Sequence, residues 1–428
     1  MVNIFIPQLP CITLNRRGDY IKMSNKDFVH LHAHTHYSVQ DALPSPTSYA
    51  TKLSEMGFRA GAITDHGRIS GAIEFVGACR KVSTEENKIK PILGCEFYTY
   101  HDRFDKNPVV IDGKKRRPKH NHLTLLAQNE TGYRNLLKMA SIGAEEGYYY
   151  EPTIDHDVLN RHSEGVIAMS GCMGSQVSQY LLKGQKEQAL KTAEWFKEHY
   201  PGRYYIEMHY HGIEEQKSIL IPGLYDIAKK LDLPMVCAND VHYLEQEDWK
   251  VHKLHISMRD QDKDNAVSGK FQAYQTKNFH LKSYDEMYKI FGSKIPEALS
   301  NTVALSESVE DFLKLGVPHL LPKVAIPEND DRYNRFKAKY YPYHKPNESY
   351  LAYLAFDGLS RLGHASKKHY IDRLRYEIDT ICYMGVVDYF LIEREMAYFM
   401  KNEKILYGIR GSGVGSLVNY CLQVCSVD

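Results

Sequence analysis

The chain has 428 residues, 43% of them hydrophobic and 25% charged, with a formal net charge of +1. That length exceeds one ordinary core and predicts two or three domains, and the balanced charge excludes whole-molecule attraction to nucleic acid, leaving only local patches for such contacts. No run of about 18 apolar residues occurs, which argues against a membrane span; the cysteines Cys11, Cys79, Cys95, Cys172, Cys237, Cys382, Cys421 and Cys425 contain no CxxC pair and read as those of a reduced, cytoplasmic protein.

Residues 1–25 read as an N-terminal extension. Their apolar run is short and broken by Pro7 and Pro10, without the layout of a signal peptide, and Met23 offers an alternative start. The stretch Val29 to Ser38 then places His30, His32, His34 and His36 at every second position. On a strand those positions share a face, so the imidazoles would converge. Neutral imidazoles packed together favour a metal ion over mutual burial. Sixteen of the 21 histidines precede residue 256, which places the metal chemistry in an N-terminal domain.

Strand-like runs follow at Phe28–His34, Arg59–Thr64, Lys90–Thr99, His122–Gln128, Gly165–Ser170, Tyr204–His209 and Met235–Ala238. Helical patterns separate them, at Pro46–Met56, Gly71–Lys81, Tyr133–Gly143, Ser175–Leu182, Glu187–Glu198 and Glu214–Leu231. This alternation predicts a parallel sheet, more readily closed as a (β/α) barrel than left open; a doubly wound open sheet is the alternative.

Metal-capable residues fall at the strand ends, where sites gather in parallel α/β folds. Asp65 and His66 follow the second strand, Glu96 lies late in the third, and Cys172 follows the fifth. His209 and His211 close the sixth, and Asp240 and His242 follow the seventh. Singly, each has a bland explanation: a buried cysteine such as Cys95 or Cys237 is a small core residue, Asp65 is a helix cap, and a rim histidine is polar surface. Six strand ends delivering together do not. His122 breaks the pattern by opening its strand.

Residues 246–345 read as a connector. Asp260-Gln261-Asp262-Lys263-Asp264 is expected to be a solvated loop, since Gln and Lys interleave its aspartates. Lys114-Lys115-Arg116-Arg117 is an exposed loop or, alternatively, a contact to a phosphate backbone. Pro318, Pro322, Pro327 and Asp330-Asp331 predict extended, turn-rich chain. From 346 the helical period returns, with one apolar stripe of Tyr350, Leu351, Leu354, Leu359 and Leu362 ending at Gly363. A second stripe of Ile371, Leu374, Ile378 and Ile381 stops at Gly385. Gly408, Arg410, Gly411, Ser412 and Gly413 then lead to a helix starting near Ser416. Close backbone approach, free N–H groups and the Arg410 charge predict a cradle for phosphate.

Together, His32-Ala33-His34, Asp41, Thr64-Asp65-His66-Gly67, Gly94-Cys95-Glu96, His122, Cys172 and Asn239-Asp240-Val241-His242 resemble the PHP (polymerase and histidinol phosphatase) domain. The wording is closest to that domain at the front of bacterial DNA polymerase III alpha subunits. Phe28 to His32, His122 to Tyr133 and Ser170 to Cys172 are similar to that family too, and the likeness covers nearly all of the chain from residue 26. It implies a distorted seven-stranded (β/α) barrel over 26–245 and, over 346–428, a mostly helical, incomplete start of the polymerase palm domain.

The resemblance further implies up to three divalent ions held by His32, His34, Asp41, His66, Glu96, His122, Cys172, Asp240 and His242, with His30, Asp65 and His209 behind them. Histidines mixed with carboxylates suit Zn, Mn or Fe. The implied activity is a PHP phosphoesterase, as a 3′–5′ exonuclease, within the N-terminal portion of a DNA-directed DNA polymerase that works on DNA and deoxynucleoside triphosphates beside other replisome subunits. The 408–416 loop resembles the glycine-arginine-glycine-serine loop of the palm, although Ile409 stands where the family usually has Pro-Gly. The family's polymerase aspartates, which would hold Mg, lie beyond Asp428, so this chain alone is expected not to polymerise DNA. Leu417, Val418, Tyr420 and Leu422 are expected to need a second polypeptide to cover them. The alternatives are a stand-alone, histidinol-phosphatase-like phosphoesterase, against which 346–428 argue, and a non-catalytic module of a split polymerase.

Overall fold

A computed structural model describes residues 12–14, 20–22, 24–107, 109–111, 114–116, 120–259, 276–314, 321–326, 331–339 and 345–428. Asp260 to Asp264, Arg117, Pro318, Pro327 and Asp330 lie outside the described residues. The chain divides into two compact units, Met1–Leu315 and Gly316–Asp428. Among the described residues no helix is long and apolar enough to cross a membrane.

The first unit is a curled sheet wrapped by helices. Strands β1 (Ala60–Ile63), β2 (Lys90–Thr99), β3 (Asn121–Ala127), β4 (Val166–Met169), β5 (Tyr204–His209) and β6 (Met235–Ala238) lie side by side in that order. The segment 28–34 joins the two edges: His30 bridges Gly61 and Ala33 bridges Val241. The predicted strand over Phe28–His34 is therefore corrected to two isolated bridges. Serving β1 with its first half and the chain beyond β6 with its second, this segment runs a continuous ladder with neither. It is the seventh stave, and it makes the barrel distorted.

The all-parallel sheet is corrected as well. β1–β2, β4–β5 and β5–β6 pair parallel, but β3 runs antiparallel to both β2 and β4. A parallel return needs a long crossover, usually a helix. Between β2 and β3 the described residues hold only a hairpin, Val109–Ile111 against Lys114–Arg116, so the chain comes back the other way. The basic run thus lies partly on a hairpin strand. The antiparallel run also explains His122: the start of β3 lies level with the ends of its neighbours.

Strand alternation sorts side chains into layers. Leu93, Cys95 and Phe97 of β2, Leu123 and Leu125 of β3, and Ile206 and Met208 of β5 pack outward under the helices. Ile92, Leu126, Ile167, Met169 and Val236 form a second apolar cluster with Val29 and Leu31, sealed by Leu305 and Val309. Leu305 belongs to the helix Glu297–Ser308, so residues 276–314 pack into this unit as part of its core. Continuing the inward register along the strands gives Glu96, Thr124, His122, Glu207 and His209. Apolar residues fill one end of the barrel and metal-capable residues the other.

In the second unit, helices Pro346–Arg361, Lys368–Met384 and Val387–Asn402 pack around Leu351, Leu354, Leu359, Leu374, Ile378 and Leu391. Gly385 ends the middle helix at φ 70°, the left-handed stop its position predicts. Turn-rich chain was expected at Asp330-Asp331; instead Asp331 opens a helix to Lys339, and Tyr333 packs edge-on to Tyr350 at 5.1 Å. The short helix Leu417–Cys421 buries Val418 and Cys421, and Leu422 beyond it, within this unit's own core. The expectation that Val418 and Leu422 need a second chain to cover them is thereby overturned.

Candidate metal centre

His32 and His34 leave the 28–34 segment on one side, and their Nε2 atoms lie 3.2 Å apart. Glu96 Oε2 stands 3.5 Å from His32 Nε2 and 3.3 Å from His34 Nε2. Asp240 Oδ1 stands 3.5 and 3.2 Å from the same two nitrogens. A second group forms on Asp41, whose Oδ2 meets His66 Nε2 at 2.9 Å and His242 Nε2 at 3.0 Å. A third forms on the other oxygen of Glu96, with His122 Nδ1 at 2.9 Å and Cys172 Sγ at 3.2 Å. His66 Nδ1 lies 3.0 Å from Glu96 Oε2, and the His34 and His66 rings stack at 4.3 Å. The nine residues His32, His34, Asp41, His66, Glu96, His122, Cys172, Asp240 and His242 therefore share one cluster, with Glu96 at its centre.

The donor set fits divalent ions. A tetrahedral ion with bonds of about 2.0–2.1 Å has ligand atoms about 3.3–3.4 Å apart. The three separations among His32, His34 and Glu96 run from 3.2 to 3.5 Å, and these residues form a group able to hold an ion, with Asp240 Oδ1 beside the two histidines. Asp240 Oδ1 is buried without a well-formed hydrogen bond, an acceptor in the cluster that protein donors leave unsatisfied. Asp240 also holds a left-handed φ of 49°, a conformation that costs free energy and is common at functional sites.

The electrostatics describe a nest of carboxylates held charged by histidines. Burial alone would raise Asp41, but His242 and His66 outweigh it and hold the carboxyl well below its ordinary value. Burial is likewise overridden at Glu96 by His122, His66 and His32, and at Asp240 by His32 and His242. The converse holds for His32: burial would lower it, while Glu207, Asp240 and Glu96 drive it well above the usual imidazole value. Burial, then Glu96 and Asp240, push the Cys172 thiol up.

Of the three residues expected behind the ligands, only two stay with the cluster. His30 turns away: its Nε2 donates to the Lys282 carbonyl at 2.8 Å, its ring lies edge-on to Phe28 and Phe58, and burial pushes it down to about 4. The reason is a slip in alternation. Val29 and Leu31 already point inward, so the segment must shift by one residue for His32 and His34 to do so too. His36 is exposed. Asp65 organises the loop that carries His34. Its carboxylate accepts from Thr35 N at 2.7 Å, Thr35 Oγ1 at 2.8 Å and Ser38 Oγ at 2.8 Å, and Ser38 Oγ lies 3.1 Å from His34 Nδ1. Asp65→Asn puts a donor where an acceptor is needed and should cost about 2–3 kcal/mol. A denaturant-melt loss below about 0.5 kcal/mol would contradict that role.

Two residues escaped sequence reasoning. Glu207 is fully buried, and its Oε1 accepts from His32 Nδ1 at 2.7 Å and His209 Nε2 at 2.8 Å. Two-residue alternation along Tyr205, Glu207 and His209 was the signal that could have found it. His252 lies beyond the last strand, and its Nε2 donates to the Asp41 carbonyl at 2.6 Å; no short-range pattern marks it. Below Asp240, Lys282 Nζ donates to Asn239 Oδ1 at 2.8 Å, and Asn239 Nδ2 to the His280 carbonyl at 2.6 Å, fixing the turn.

In the second unit, Gly408, Arg410, Gly411 and Ser412 are exposed, and Ser416 caps the short helix. The N–H groups expected to be free are in use: Glu377 Oε2 accepts from Val418 N and Ser416 Oγ, each at 3.0 Å. Burial would raise Glu377, but these contacts, with the Leu417 amide and Arg373, hold it below its ordinary value.

Residues 30–211 match the PHP domain model, and residues 349–428 match the bacterial DNA polymerase III alpha NTPase domain model. The DNA polymerase III subunit alpha of Treponema pallidum is 34% identical over 409 residues, 95% of this chain and 32% of that protein. That of Borreliella burgdorferi is 34% identical over 404 residues, 94% of this chain and 33% of that protein. That of Aquifex aeolicus is 31% identical over 416 residues, 94% of this chain and 34% of that protein. The chain spans about a third of the length of these curated relatives.

Proposed function

We propose a function for this chain as a member of the bacterial DNA polymerase III alpha family: it is the N-terminal portion of a replicative DNA-directed DNA polymerase, and its barrel is a metal-dependent phosphoesterase that acts as a 3′–5′ exonuclease. One observation carries the barrel's role. Donor atoms from six of the seven staves or the turns after them meet in one cluster, around a carboxylate, Glu96, that offers an oxygen to each of two groups.

The nine clustered residues would hold the ions, Zn, Mn or Fe by the mix of imidazole and carboxylate. Ions bound there supply Lewis acidity toward a phosphoryl oxygen. The chain's own residues shape the rest. A cavity of about 190 Å³ opens over the cluster, lined by His66, His122, His209, Gln216, Asp240 and Phe279. It has room for a phosphate group, which suits a strand end. Phe279 and Met173 supply apolar wall that limits water around the reacting phosphate.

The proposed domains are 26–245 for the PHP domain, 246–345 for a connector whose residues 276–314 pack into the barrel unit, and 346–428 for the start of the palm. DNA, deoxynucleoside triphosphates, other replisome subunits and a cytoplasmic setting belong to the same proposal. So does phosphate binding at Gly408, Arg410, Gly411, Ser412, Gly413 and Ser416, where a triphosphate would compete with Glu377 for the Val418 amide. Metal analysis tests the centre directly: protein purified in the presence of zinc or manganese is expected to carry at least one ion per chain. A content well below one overturns the reading.

A further inference from the structure

Glu207 lies outside the nine clustered residues, yet it is fully buried and touches three elements. Through Oε1 it accepts from His32 Nδ1 at 2.7 Å and from His209 Nε2 at 2.8 Å. Through Oε2 it accepts from the backbone N–H of Gly171, beside Cys172, at 3.1 Å. Its own backbone N–H donates to Ser170 Oγ at 2.9 Å, tying β5 to the end of β4. Thr124 Oγ1 also stands at His32 Nδ1, 3.2 Å away.

We propose that Glu207 is a positioning residue for the metal centre: it fixes the proton of His32 on Nδ1, so that Nε2 faces the ions, and it holds the turn that presents Cys172. The inference rests on the metal-centre reading above. An imidazole has two nitrogens, and the one that meets an ion is set by the hydrogen bond the other makes. His32 Nε2 already points at His34 Nε2, Glu96 Oε2 and Asp240 Oδ1, and only Nδ1 faces Glu207. A carboxylate accepts there and cannot donate, so the tautomer is decided. The same carboxylate reaches the Gly171 amide, and Gly171 takes a φ of 85° that places the Cys172 thiol near Glu96 and His122. One buried group thereby couples two donors on different staves. His32, Glu207 and His209 could instead form an ion-binding group of their own, since their donor atoms lie within 4.8 Å of one another; the test separates the two roles.

The full chain is stripped with a chelator and titrated with Zn²⁺ against a chromophoric competitor, as wild type and as Glu207→Gln. Gln keeps the shape but loses the charge and cannot accept on both arms. The variant is expected to bind as many ions at saturation as wild type, with an affinity weakened about 10–100-fold. Fewer ions at saturation would make Glu207 a ligand and overturn the proposal, as would an affinity within about threefold of wild type. Should the variant fail to fold, nitrogen-15 histidine spectra of the loaded wild type decide, with His32 assigned by its loss in His32→Asn. A protonated Nδ1 and an ion-bound Nε2 are expected, and the opposite tautomer overturns the inference. Wild type that binds no zinc would sink the metal reading itself, whereas binding by wild type with an unchanged variant sinks only the role of Glu207.

Discussion

Stripped of metal, this chain should unfold at a markedly lower temperature than when loaded, and the gap should widen between pH 6 and pH 9. Asp41, Glu96 and Asp240 are buried together and held charged by histidines. In the metal-free chain the neutralising charges are protons on His32, His66 and His242, all raised above the usual imidazole value. For a group raised on folding, the stabilisation is complete below its unfolded pKa and is lost as pH climbs through the folded one. The depressed carboxylates have the opposite sign, and their contribution fails only as pH falls below the ordinary carboxylate range. The raised histidines therefore weaken the stripped barrel on the alkaline side, while His30, His211 and His252, held below the ordinary imidazole value by burial, weaken it as pH falls below that value. Divalent ions replace those protons and remove the alkaline loss.

At a free metal concentration about a thousandfold above its dissociation constant, linkage supplies about 4 kcal/mol. In a unit of this size that is a rise of roughly 6 °C in the barrel's melting temperature. Thermal melts with and without chelator at both pH values check it; a stripped chain more stable at pH 9 than at pH 6 would refute the account. His32→Ala with His34→Ala removes two donors of one group, and should erase the metal-dependent rise. It should also cut release of mononucleotides from a 3′ end at least about 100-fold, while a wild-type chain that releases none would leave the barrel a non-catalytic module.

Much of this centre was legible because strand ends are short-range features. Most of the clustered residues sit on or just past a strand end that β-branched and apolar runs mark out, with Asp41 in a turn beyond His34. Three points were not legible, for distinct reasons. Strand direction depends on what connects two strands, so the antiparallel β3, and with it the place of His122, follows from a hairpin where a crossover helix was expected. The split between His30 and His32 follows from a one-residue slip in a segment that bridges two edges, and alternation alone cannot show where alternation fails. His252 arrives from a helix beyond the last strand, set by tertiary packing. In the second unit the apolar stripes marked two of the three long helices, but the carboxylate that meets the glycine-rich segment stands 41 residues before Val418. That pairing is a contact of the fold, invisible to any local window.

The same contact sets up the second large effect, at Gly358. A Cβ there would lie 2.0 Å from the Cys421 carbonyl oxygen, a backbone atom that cannot swing aside as a side chain would. Gly358→Ala should therefore cost about 3 kcal/mol, at the upper end for inserting one carbon into a packed site. The strain would fall on the helix Leu417–Cys421, which Gly358 lets approach from one side and the Glu377 carboxylate grips from another. Pushed off, that helix loses the bonds from Val418 N and Ser416 Oγ to Glu377, and the glycine-rich segment before it loses its anchor. Hydrogen exchange of the amides from Gly411 to Cys421 should speed up at least tenfold in the variant. Gly408→Ala is the matched control, since nothing lies within 4 Å of a Cβ at that position, and its exchange should stay at the wild-type rate. Equal exchange in the two variants would mean that the segment is held by its own turn geometry, and that the close approach at Gly358 governs helix packing alone.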